Sequence, residues 1–487
     1  MSSVVSGAIL VVAMRWSGRL IGFVSTLVLA RLLVPEDFGL VAMVSVLIGL
    51  ADTLFDLGTG IALVQNKSPT RAHYDTAWTL GWIQSLIGML VVMAAAPYAA
   101  DYFHEPRVRN LAMVMALTFP LSAAANIGVV TFQKEMRFER EFQLFFAVRV
   151  FSFVVTLVAA WLMRSYWALV IGTLAGRVCN AVLSYVMHPM RPRLSLEKFA
   201  EIFGFSQWML LRSILHFLDN RLHVAVVGNR AEAAVVGTYS LADEVASLPT
   251  TELLAPLNRV LFPAFVQVKD NLSELKRTFL LSQSIQAAIG IPTGVGIALV
   301  ANEAVPLLLG DKWLAAIPFL QVMAMANVIS AIAVSATYVL YALGRARMLA
   351  FYSVFQVMLF IVGAFVFMPA AGAMGLTWLR LGVAAAGLFS IFYLAGRLLP
   401  SLRLGELIAG SYRPLLSAGI MVLCVHNLGV LTGLTGVVLM SLKIGVGALS
   451  YGAAMMLLWR VAGLPKGAEE YMLRKGREFI ASRRRPA

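Results

Sequence analysis

Charged residues are scarce in this 487-residue chain, and their scarcity excludes a large class of proteins. Only 13% of the residues are charged, whereas 60% are hydrophobic and the mean hydropathy is +0.82. Soluble globular proteins have about 25% charged and about 45–50% apolar residues. The composition therefore excludes a water-soluble enzyme and indicates a membrane protein with several spans.

Cysteines, metal-ligand motifs and phosphate-binding loops are also few or missing. The two cysteines, Cys179 and Cys424, lie far apart inside apolar runs, which excludes a disulfide framework. The six histidines are scattered without metal-site spacing, and the sequence contains no P-loop motif. We therefore predict no catalytic residue, no cofactor and no metal, and a protein that is not an enzyme.

Long apolar runs, in contrast, fill the sequence. A helix of about 20 apolar residues crosses a bilayer core of about 30 Å. Runs of this length predict an all-α fold of about fourteen transmembrane helices, the first of them a retained span rather than a cleaved signal peptide. The predicted spans cover residues 8–33, 37–64, 76–100, 108–131, 143–163, 166–187, 204–228, 232–266, 278–301, 313–343, 348–368, 372–396, 412–430 and 434–459. Because the connecting loops are short, we expect no extramembrane domain that holds an active site.

Basic residues are distributed unevenly among the loops. The chain has 39 Lys and Arg against 25 Asp and Glu, a net charge of +14. Loops after even-numbered spans hold sixteen of the basic residues, and loops after odd-numbered spans hold six. Because loops rich in Lys and Arg stay in the cytoplasm, this bias predicts that both termini are cytoplasmic. The charge then reflects topology and attraction to lipid headgroups, and we expect no nucleic-acid partner.

The two halves of the chain share a weak internal similarity. Residues 33–39 (LVPEDFG), between spans 1 and 2, parallel residues 230–237 (RAEAAVVG), between spans 7 and 8. Six spans per repeat is an even number, so both halves enter the membrane in the same direction. We predict two parallel six-helix lobes with a substrate cavity between them. The predicted domains are the lobes at 1–200 and 201–400, an extra transmembrane pair at 401–462 and a basic cytoplasmic tail at 463–487.

Five stretches, taken in order, resemble one known family. They are residues 29–40 (LARLLVPEDFGL), 56–65 (DLGTGIALVQ), 133–138 (QKEMRF), 218–242 (LDN ahead of GTYSLA) and 259–264 (RVLFPA). Together they resemble bacterial polysaccharide flippases of the Wzx/PST type, in the colanic-acid and xanthan exporter branch of the multidrug/oligosaccharidyl-lipid/polysaccharide exporter superfamily. The similarity covers roughly residues 1–400. The chain departs from the family at Arg221-Leu222-His223, where aliphatic residues usually follow the Asp-Asn pair.

The resemblance implies a function and a place in the cell. It implies that undecaprenyl-pyrophosphate-linked oligosaccharide units move from the cytoplasmic to the periplasmic leaflet of the bacterial inner membrane, for exopolysaccharide or lipopolysaccharide biosynthesis, by alternating access. The implied partners are the lipid-linked oligosaccharide, the lipid bilayer, and a polysaccharide polymerase with its export machinery. By analogy with related lipid flippases, spans 13 and 14, with Lys443, would guide the isoprenoid tail.

Two other functions stay open at this point. A cation-coupled drug antiporter of the same superfamily would be expected to have an acidic cavity. A membrane polysaccharide polymerase or glycosyltransferase would need a large loop to hold its acceptor and catalytic groups. The basic excess and the short loops favour the flippase over both.

Arginines within the spans are the candidate substrate-binding residues. A charge at the centre of a span costs about 2.5–3.5 kcal/mol, so it must face a wet cavity or a partner. The guanidinium group offers a planar fork of donors that matches phosphate oxygens, and the implied substrate carries a diphosphate. The candidates are Arg15, Arg19, Arg149, Arg177, Arg212 and Arg221. Arg149 and Arg177 favour this interpretation most, because their own spans contain no acidic residue.

Acidic residues at similar depth allow two interpretations. A carboxylate in a medium of low dielectric constant has a raised pKa and can couple transport to H⁺ or Na⁺. The ion-coupling candidates are Asp52, Asp56, Asp219, Asp243 and Glu244. The alternative is structural pairing, in which Arg15 and Arg19 neutralise Asp52 and Asp56, and Arg212 or Arg221 neutralises Asp243.

Neutral side chains are candidates for contact with the sugar. Tryptophan rings can stack on sugars, but anchoring at the membrane interface is the favoured explanation for tryptophans near span ends. The neutral candidates are Trp16, Trp78, Trp82, Trp161, Trp167, Trp208, Gln84, Asn126, Gln143 and Gln207. Prolines predict bends in the helices at positions 120, 249, 256 and 292.

Overall fold

A computed structural model describes residues 2–55, 58–399, 402–465 and 467–483 of the protein. These residues are helical apart from short connections, and none of them forms a strand, which confirms the predicted all-α fold. The chain forms two compact units, Met1–Ser240 and Leu241–Ala487. The helix that follows residue 200 packs within the first unit. The two compact units do not test the repeat boundary expected at residue 200, which stays a prediction.

The first unit consists of long helices joined by short turns. Its helices are α1 (Ser2–Leu32), α2 (Pro35–Phe55), α3 (Thr59–Gln65), α4 (Arg71–Tyr102), α5 (Arg107–Met115), α6 (Thr118–Ala123), a 3₁₀ turn (Ile127–Val129), α7 (Val130–Lys134), α8 (Phe138–Met163), α9 (Trp167–Met187) and α10 (Phe199–Arg230). Helix α11 (Ala233–Leu248) begins in the first unit and ends in the second.

The second unit is built in the same way. After α11 it contains a π-helical stretch (Pro249–Leu254), α12 (Ala255–Val268), α13 (Leu272–Ala304), a second π-helical stretch (Val305–Leu309), a 3₁₀ turn (Asp311–Trp313), α14 (Ala316–Ala342), α15 (Ala346–Leu398), α16 (Leu404–Thr432), α17 (Gly436–Val461) and α18 (Ala468–Arg483). Pro249 begins the π-helical stretch between α11 and α12, where the sequence predicted a bend.

Nine helices among the described residues are long and apolar enough to cross a membrane. The bent pair Arg107–Ala123 and Ile127–Lys134, which meets at 64°, forms a further candidate crossing. Helix α15 has 53 residues and is broken at Ala371 and Gly372, so it corresponds to two of the predicted spans. Each predicted span overlaps a helix or a broken helix, whereas the number of fourteen crossings stays a prediction.

The motif at residues 35–39 (PEDFG) has a structural use at several positions. Pro35 is the first residue of α2, where a missing N–H leaves no helical hydrogen bond unmade. The buried Asp37 carboxylate accepts hydrogen bonds from the backbone N–H of Val34 at 3.1 Å and of Tyr166 at 2.9 Å. Asp37 thereby links the start of α2 to the residue that precedes α9. Glu36 forms an ion pair with Arg107 at 2.5 Å.

The two similar loops of the sequence meet in the first unit. A Cβ atom added to Gly39 would lie 1.8 Å from the carbonyl oxygen of Ala233, and one added to Gly237 would lie 1.8 Å from that of Pro35. The contact is reciprocal, because Pro35 and Gly39 occupy the same places in their repeat as Ala233 and Gly237 in theirs. Reciprocal contact between like surfaces is the signature of a local twofold axis. The duplication expected from the sequence stays a prediction.

The connection between α9 and α10 is bound along α4 rather than free. The backbone N–H groups of Arg193 and Ser195 donate to Asp75 Oδ1 and Thr79 Oγ1, both at 2.9 Å. Asp75 and Thr79 are buried, so these side chains replace the water that would otherwise satisfy the loop. At the end of the connection, Glu201 of α10 lies 2.9 Å from His73 Nε2. We call residues 188–198 the strap.

Candidate substrate site

Three of the predicted arginines lie near the middle of neighbouring helices. Helices α8 and α9 are antiparallel, and their register is set by close contacts of Gly172 with Thr156 and of Gly176 with Ser152. Small residues allow the two backbones to approach, as is common between membrane helices. This register brings Arg149 of α8 and Arg177 of α9 to within about one helical turn of the same depth.

Helix α1 places a third arginine at this level. A Cβ atom on Gly18 would lie 2.7 Å from the ring of Phe145 on α8, and Leu29 of α1 packs against Ala159 further along. The two helices therefore run parallel, and Arg19, next to Gly18, lies beside the middle of α8. The guanidinium group of Arg149 lies over the Phe145 ring, 5.4 Å from its centroid.

These three side chains are exposed, which distinguishes them from the paired charges of the second unit. Arg149 and Arg177 form no ion pair with any residue that the structure describes. A cation–π contact weakly stabilises an exposed cation but leaves its charge uncancelled. Two positive charges at mid-depth are thus available to a ligand.

A second group of predicted residues lies where α10 packs on α2. A Cβ atom on Gly49 of α2 would lie 2.9 Å from the Phe217 ring of α10. Asp52 lies one helical turn beyond Gly49, and Asp219 and Arg221 lie just beyond Phe217. All three charged side chains are exposed. The contact brings two carboxylates and one guanidinium group to neighbouring parts of α2 and α10.

The unusual histidine of this segment is buried rather than exposed. His223 has 3% of its surface exposed, and its Nε2 donates to the carbonyl oxygen of Asn220 at 2.9 Å. Its ring lies 5.6 Å from that of Tyr239. His223 therefore has a packing role, and the departure from the family pattern introduces one exposed arginine, Arg221, beside Asp219.

A cavity of about 310 Å³ adjoins Asp52 within the first unit. Trp78 and Gln84 line it, and the Trp82 ring meets the Trp78 ring edge-on with centroids 6.0 Å apart. The Nε1 atoms of both tryptophans and the Nε2 atom of Gln84 are buried and have no hydrogen-bond partner among the described residues. A buried donor without a partner costs about 1–3 kcal/mol, so the part of the wall that Trp78 and Gln84 form fits a ligand with oxygen acceptors.

Asn126, which also lines this cavity, is a structural residue. Its Nδ2 donates to the carbonyl oxygens of His188 at 3.2 Å and Met190 at 2.8 Å, and its Oδ1 accepts from the N–H of Gly128 at 2.9 Å. Asn126 is fully buried, and these bonds use its amide to hold the start of the strap. The sequence does not reveal this role, because the carbonyl oxygens that Asn126 binds lie more than 60 residues away along the chain.

The acidic candidates of the second unit differ in their surroundings. Asp243 of α11 pairs with Arg380 of α15 at 2.7 Å, and both side chains are largely shielded. The sequence suggested Arg212 or Arg221 as the partner of Asp243, and the structure supplies Arg380 instead, 137 residues away. Glu244, the next residue, is exposed.

Lys443 of α17 is also neutralised within the second unit. Its Nζ lies 2.7 Å from Oε1 of Glu303 at the end of α13, and both side chains are at least 85% buried. Lys443, the charge expected beside a lipid-tail groove, therefore has a carboxylate partner. The sequence shows a lone lysine in one span and a lone glutamate near the end of another. It does not show that the two helices touch, so it cannot indicate that these residues pair.

Five of the predicted residues lie wholly or partly outside the described part of the chain. Asp56 lies outside the described residues. The other four lie on described helices, but their side chains are outside the described part: Arg15 on α1, and Gln207, Trp208 and Arg212 on α10. The proposed pairing of Arg15 and Arg19 with Asp52 and Asp56 therefore stays a prediction.

Comparison with known proteins assigns the chain to a family. Residues 28–318 match the family model described as "Polysaccharide biosynthesis protein". The lipopolysaccharide biosynthesis protein WzxC of Escherichia coli is 28% identical over 368 residues, which cover 73% of each chain. The succinoglycan biosynthesis transport protein ExoT of Rhizobium meliloti is 23% identical over 310 residues, 63% of this chain and 62% of that protein.

The fold has a solved counterpart. The lipid II flippase MurJ, in an inward closed conformation, superposes with a TM-score of 0.75 at 12% sequence identity, covering 93% of this chain and 99% of that one. At this identity the match establishes the fold, and the family model establishes the relationship. The chain belongs to the polysaccharide biosynthesis protein family and has a MurJ-like fold.

Proposed function

We propose that this protein flips undecaprenyl-pyrophosphate-linked oligosaccharide units across the bacterial inner membrane for polysaccharide biosynthesis. The relatives support this function through their names, since WzxC acts in lipopolysaccharide biosynthesis, ExoT in succinoglycan transport, and MurJ as a lipid II flippase. The same comparisons favour a transporter over an enzyme. The observation that carries the proposal is the exposure of Arg149 and Arg177 at mid-depth without an acidic partner.

The diphosphate of the substrate suits these arginines. Each guanidinium group can donate two parallel hydrogen bonds to phosphate oxygens, and such charge-assisted bonds are stronger than neutral ones. The lipid head loses its hydration on entering the membrane, so a compensating positive charge lowers the barrier to crossing. In this proposal, Arg149 and Arg177 bind the diphosphate, and Arg19 of α1 adds a third positive charge at the same depth. Arg15, Arg212 and Arg221 remain proposed contributors.

The sugar suits the cavity beside Asp52. Sugar hydroxyls both donate and accept hydrogen bonds, so they can satisfy the buried donors of Trp78 and Gln84 and donate to the Asp52 carboxylate. The indole ring of Trp78 adds an apolar face for the C–H surface of a sugar ring. The cavity of about 310 Å³ has the volume for one or two sugar units rather than a whole repeat.

Ion coupling remains part of the proposal at a smaller set of residues. Asp52, Asp219 and Glu244 are exposed and can exchange a proton or bind Na⁺, whereas the pairing of Asp243 with Arg380 favours a structural role. The orientation with both termini in the cytoplasm rests on the loop charges. A polysaccharide polymerase and export machinery are proposed as functional partners.

A drug antiporter is the main competing function, and the charge balance disfavours it. Among the placed residues at mid-depth in the first unit, Arg19, Arg149, Arg177 and Arg221 outnumber Asp52 and Asp219. An exporter of cations would place its substrate against repelling charges at this level.

The test is a flipping assay on the purified protein in proteoliposomes with a labelled undecaprenyl-pyrophosphate oligosaccharide. We expect the double variant Arg149→Gln/Arg177→Gln to flip at least about tenfold more slowly, because it removes two charge-assisted contacts of about 1.5–3 kcal/mol each. Arg345→Gln, a change to an exposed arginine between α14 and α15, is the control and should flip normally. An unchanged rate in the double variant at normal protein levels would contradict the proposal.

A further inference from the structure

The second unit contains a larger cavity that the proposed function does not use. It has a volume of about 790 Å³ and lies between the first turns of α13 and α16 and the C-terminal helix α18. The charged residues that line it are Lys276, Arg277, Arg413, Arg474, Glu406 and Glu470. The loop charges assign this end of the helices to the cytoplasmic side, where the bilayer surface is anionic.

Helix α18 is docked against the transmembrane helices at this cavity. Ala468, at its start, has 1% of its surface exposed and packs in a cluster with Ile285 and Met455. Before the helix begins, Trp459 Nε1 donates to the carbonyl oxygen of Pro465 at 3.0 Å. These contacts fix the first turn of α18 and make it one wall of the cavity.

Arg413 is the most deeply buried basic residue in the lining. It has 7% of its surface exposed, and its Nη1 lies 3.0 Å from Oε1 of Glu469 on α18. The angles of this contact do not make a hydrogen bond, and neither Nε nor Nη1 of Arg413 has a hydrogen-bond partner among the described residues. A guanidinium group buried with two unused donors is costly, and a bound anion would satisfy them.

The other basic side chains leave capacity for an anion. Lys276 lies 2.7 Å from Glu406, which neutralises it. Arg277 is exposed and forms no ion pair with any described residue. Arg474 lies over the Tyr471 ring at 5.8 Å, and the carboxylate nearest to it, Glu478, is 4.0 Å away. Arg277, Arg413 and Arg474 thus surround the cavity with donors that carboxylates satisfy only in part.

We propose that this cavity binds a phosphate group, supplied either by an anionic phospholipid of the adjacent leaflet or by a soluble phosphate compound. Arginine forks match phosphate oxygens bidentately, and three of them on different helices would join α13, α16 and α18 through one ligand. Binding fastens α18 to the transmembrane helices. The site is distinct from the proposed diphosphate site in the first unit and does not depend on it.

The experiment uses the full-length protein in phosphatidylcholine nanodiscs and follows its Tm by tryptophan fluorescence. Inorganic phosphate is titrated against sodium chloride of the same ionic strength, and in a second arm phosphatidylglycerol replaces part of the phosphatidylcholine. We expect a saturable rise in Tm in at least one arm, because a ligand that binds only the folded state stabilises it. A rise with phosphate identifies a soluble ligand, and a rise with phosphatidylglycerol alone identifies a lipid headgroup.

Two variants assign the effect to the cavity. Arg277→Gln changes an exposed residue, and Arg413→Gln/Glu469→Gln removes a buried pair together so that no charge is left alone. Each should raise the half-saturating concentration about tenfold, the loss expected for one charge-assisted contact. The control Arg345→Gln should leave it unchanged. No saturable rise in either arm, or half-saturation that is the same in all four proteins, would overturn the proposal.

Discussion

The contact between α2 and α11 allows a sharp prediction about Gly39 and Gly237. A Cβ atom at Gly39 would lie 1.8 Å from a backbone carbonyl oxygen, and real Cβ atoms essentially never come closer than 3.0 Å. Because the obstacle is backbone, it cannot rotate away, and the two helix ends must separate by about 1 Å. We expect Gly39→Ala to cost about 1–3 kcal/mol, the usual range for overpacking.

Alanine should change the stability in opposite directions at an obstructed glycine and at an open one. Both glycines are helical, and alanine in a helix is more stable than glycine by about 1 kcal/mol when space is open. Gly22, in the middle of α1, has nothing within 4 Å of its added Cβ and serves as the matched control. Gly22→Ala should keep or raise the Tm, whereas Gly39→Ala and Gly237→Ala should lower it.

Hydrogen exchange detects the separation directly. In each tight variant we expect faster amide exchange in both segments, 35–39 and 233–237, by about 5- to 150-fold, the equivalent of 1–3 kcal/mol. Because the contact is reciprocal, a change in one repeat must expose the other. If Gly39→Ala behaves like Gly22→Ala in Tm and in exchange, the inferred backbone contact does not exist.

Further predictions concern the paired charges and the strap. Asp243→Asn should destabilise the protein by about 1–3 kcal/mol, because the largely shielded Arg380 loses its ion pair with Asp243, whereas Asp243→Asn/Arg380→Gln should recover most of that loss when both are compared by urea unfolding. A double variant as unstable as the single one would show that the pair is not coupled. The strap should loosen in acid: burial lowers the pKa of His188, whose Nδ1 accepts from the N–H of Met190 at 3.2 Å, so the neutral form is favoured on folding. Its stabilising effect is present above the unfolded pKa of about 6.5 and is lost as the pH falls through the lowered folded value. Amide exchange in residues 188–198, corrected for its intrinsic pH dependence, should therefore rise as the pH falls from about 6.5 through the lowered folded pKa of His188. His188→Gln should remove this rise. Asp75→Ala should speed exchange at Arg193 at neutral pH by about tenfold through loss of one buried hydrogen bond, and unchanged exchange there would contradict the bond.

Much of the architecture is predictable because it depends on the hydropathy and charge of contiguous residues. Hydropathy over about 20 residues and the sign of loop charges are properties of contiguous residues, so they indicated helical spans and an expected orientation before any contact was known. The break at Gly372 was likewise expected, since two apolar runs meet there. The mid-depth arginines were visible for the same reason, as charges in otherwise apolar runs.

The sequence by itself determined the all-α membrane fold, the family and the charged residues that must be explained. Only the tertiary structure decided which of those charges are neutralised. Asp243 meets Arg380 across 137 residues and Lys443 meets Glu303 across 140, while Arg149 and Arg177 meet no acidic residue in the described ranges. The physical reason is that an ion pair depends on distances of a few ångströms between helices remote in sequence, and close contacts at small residues set those distances.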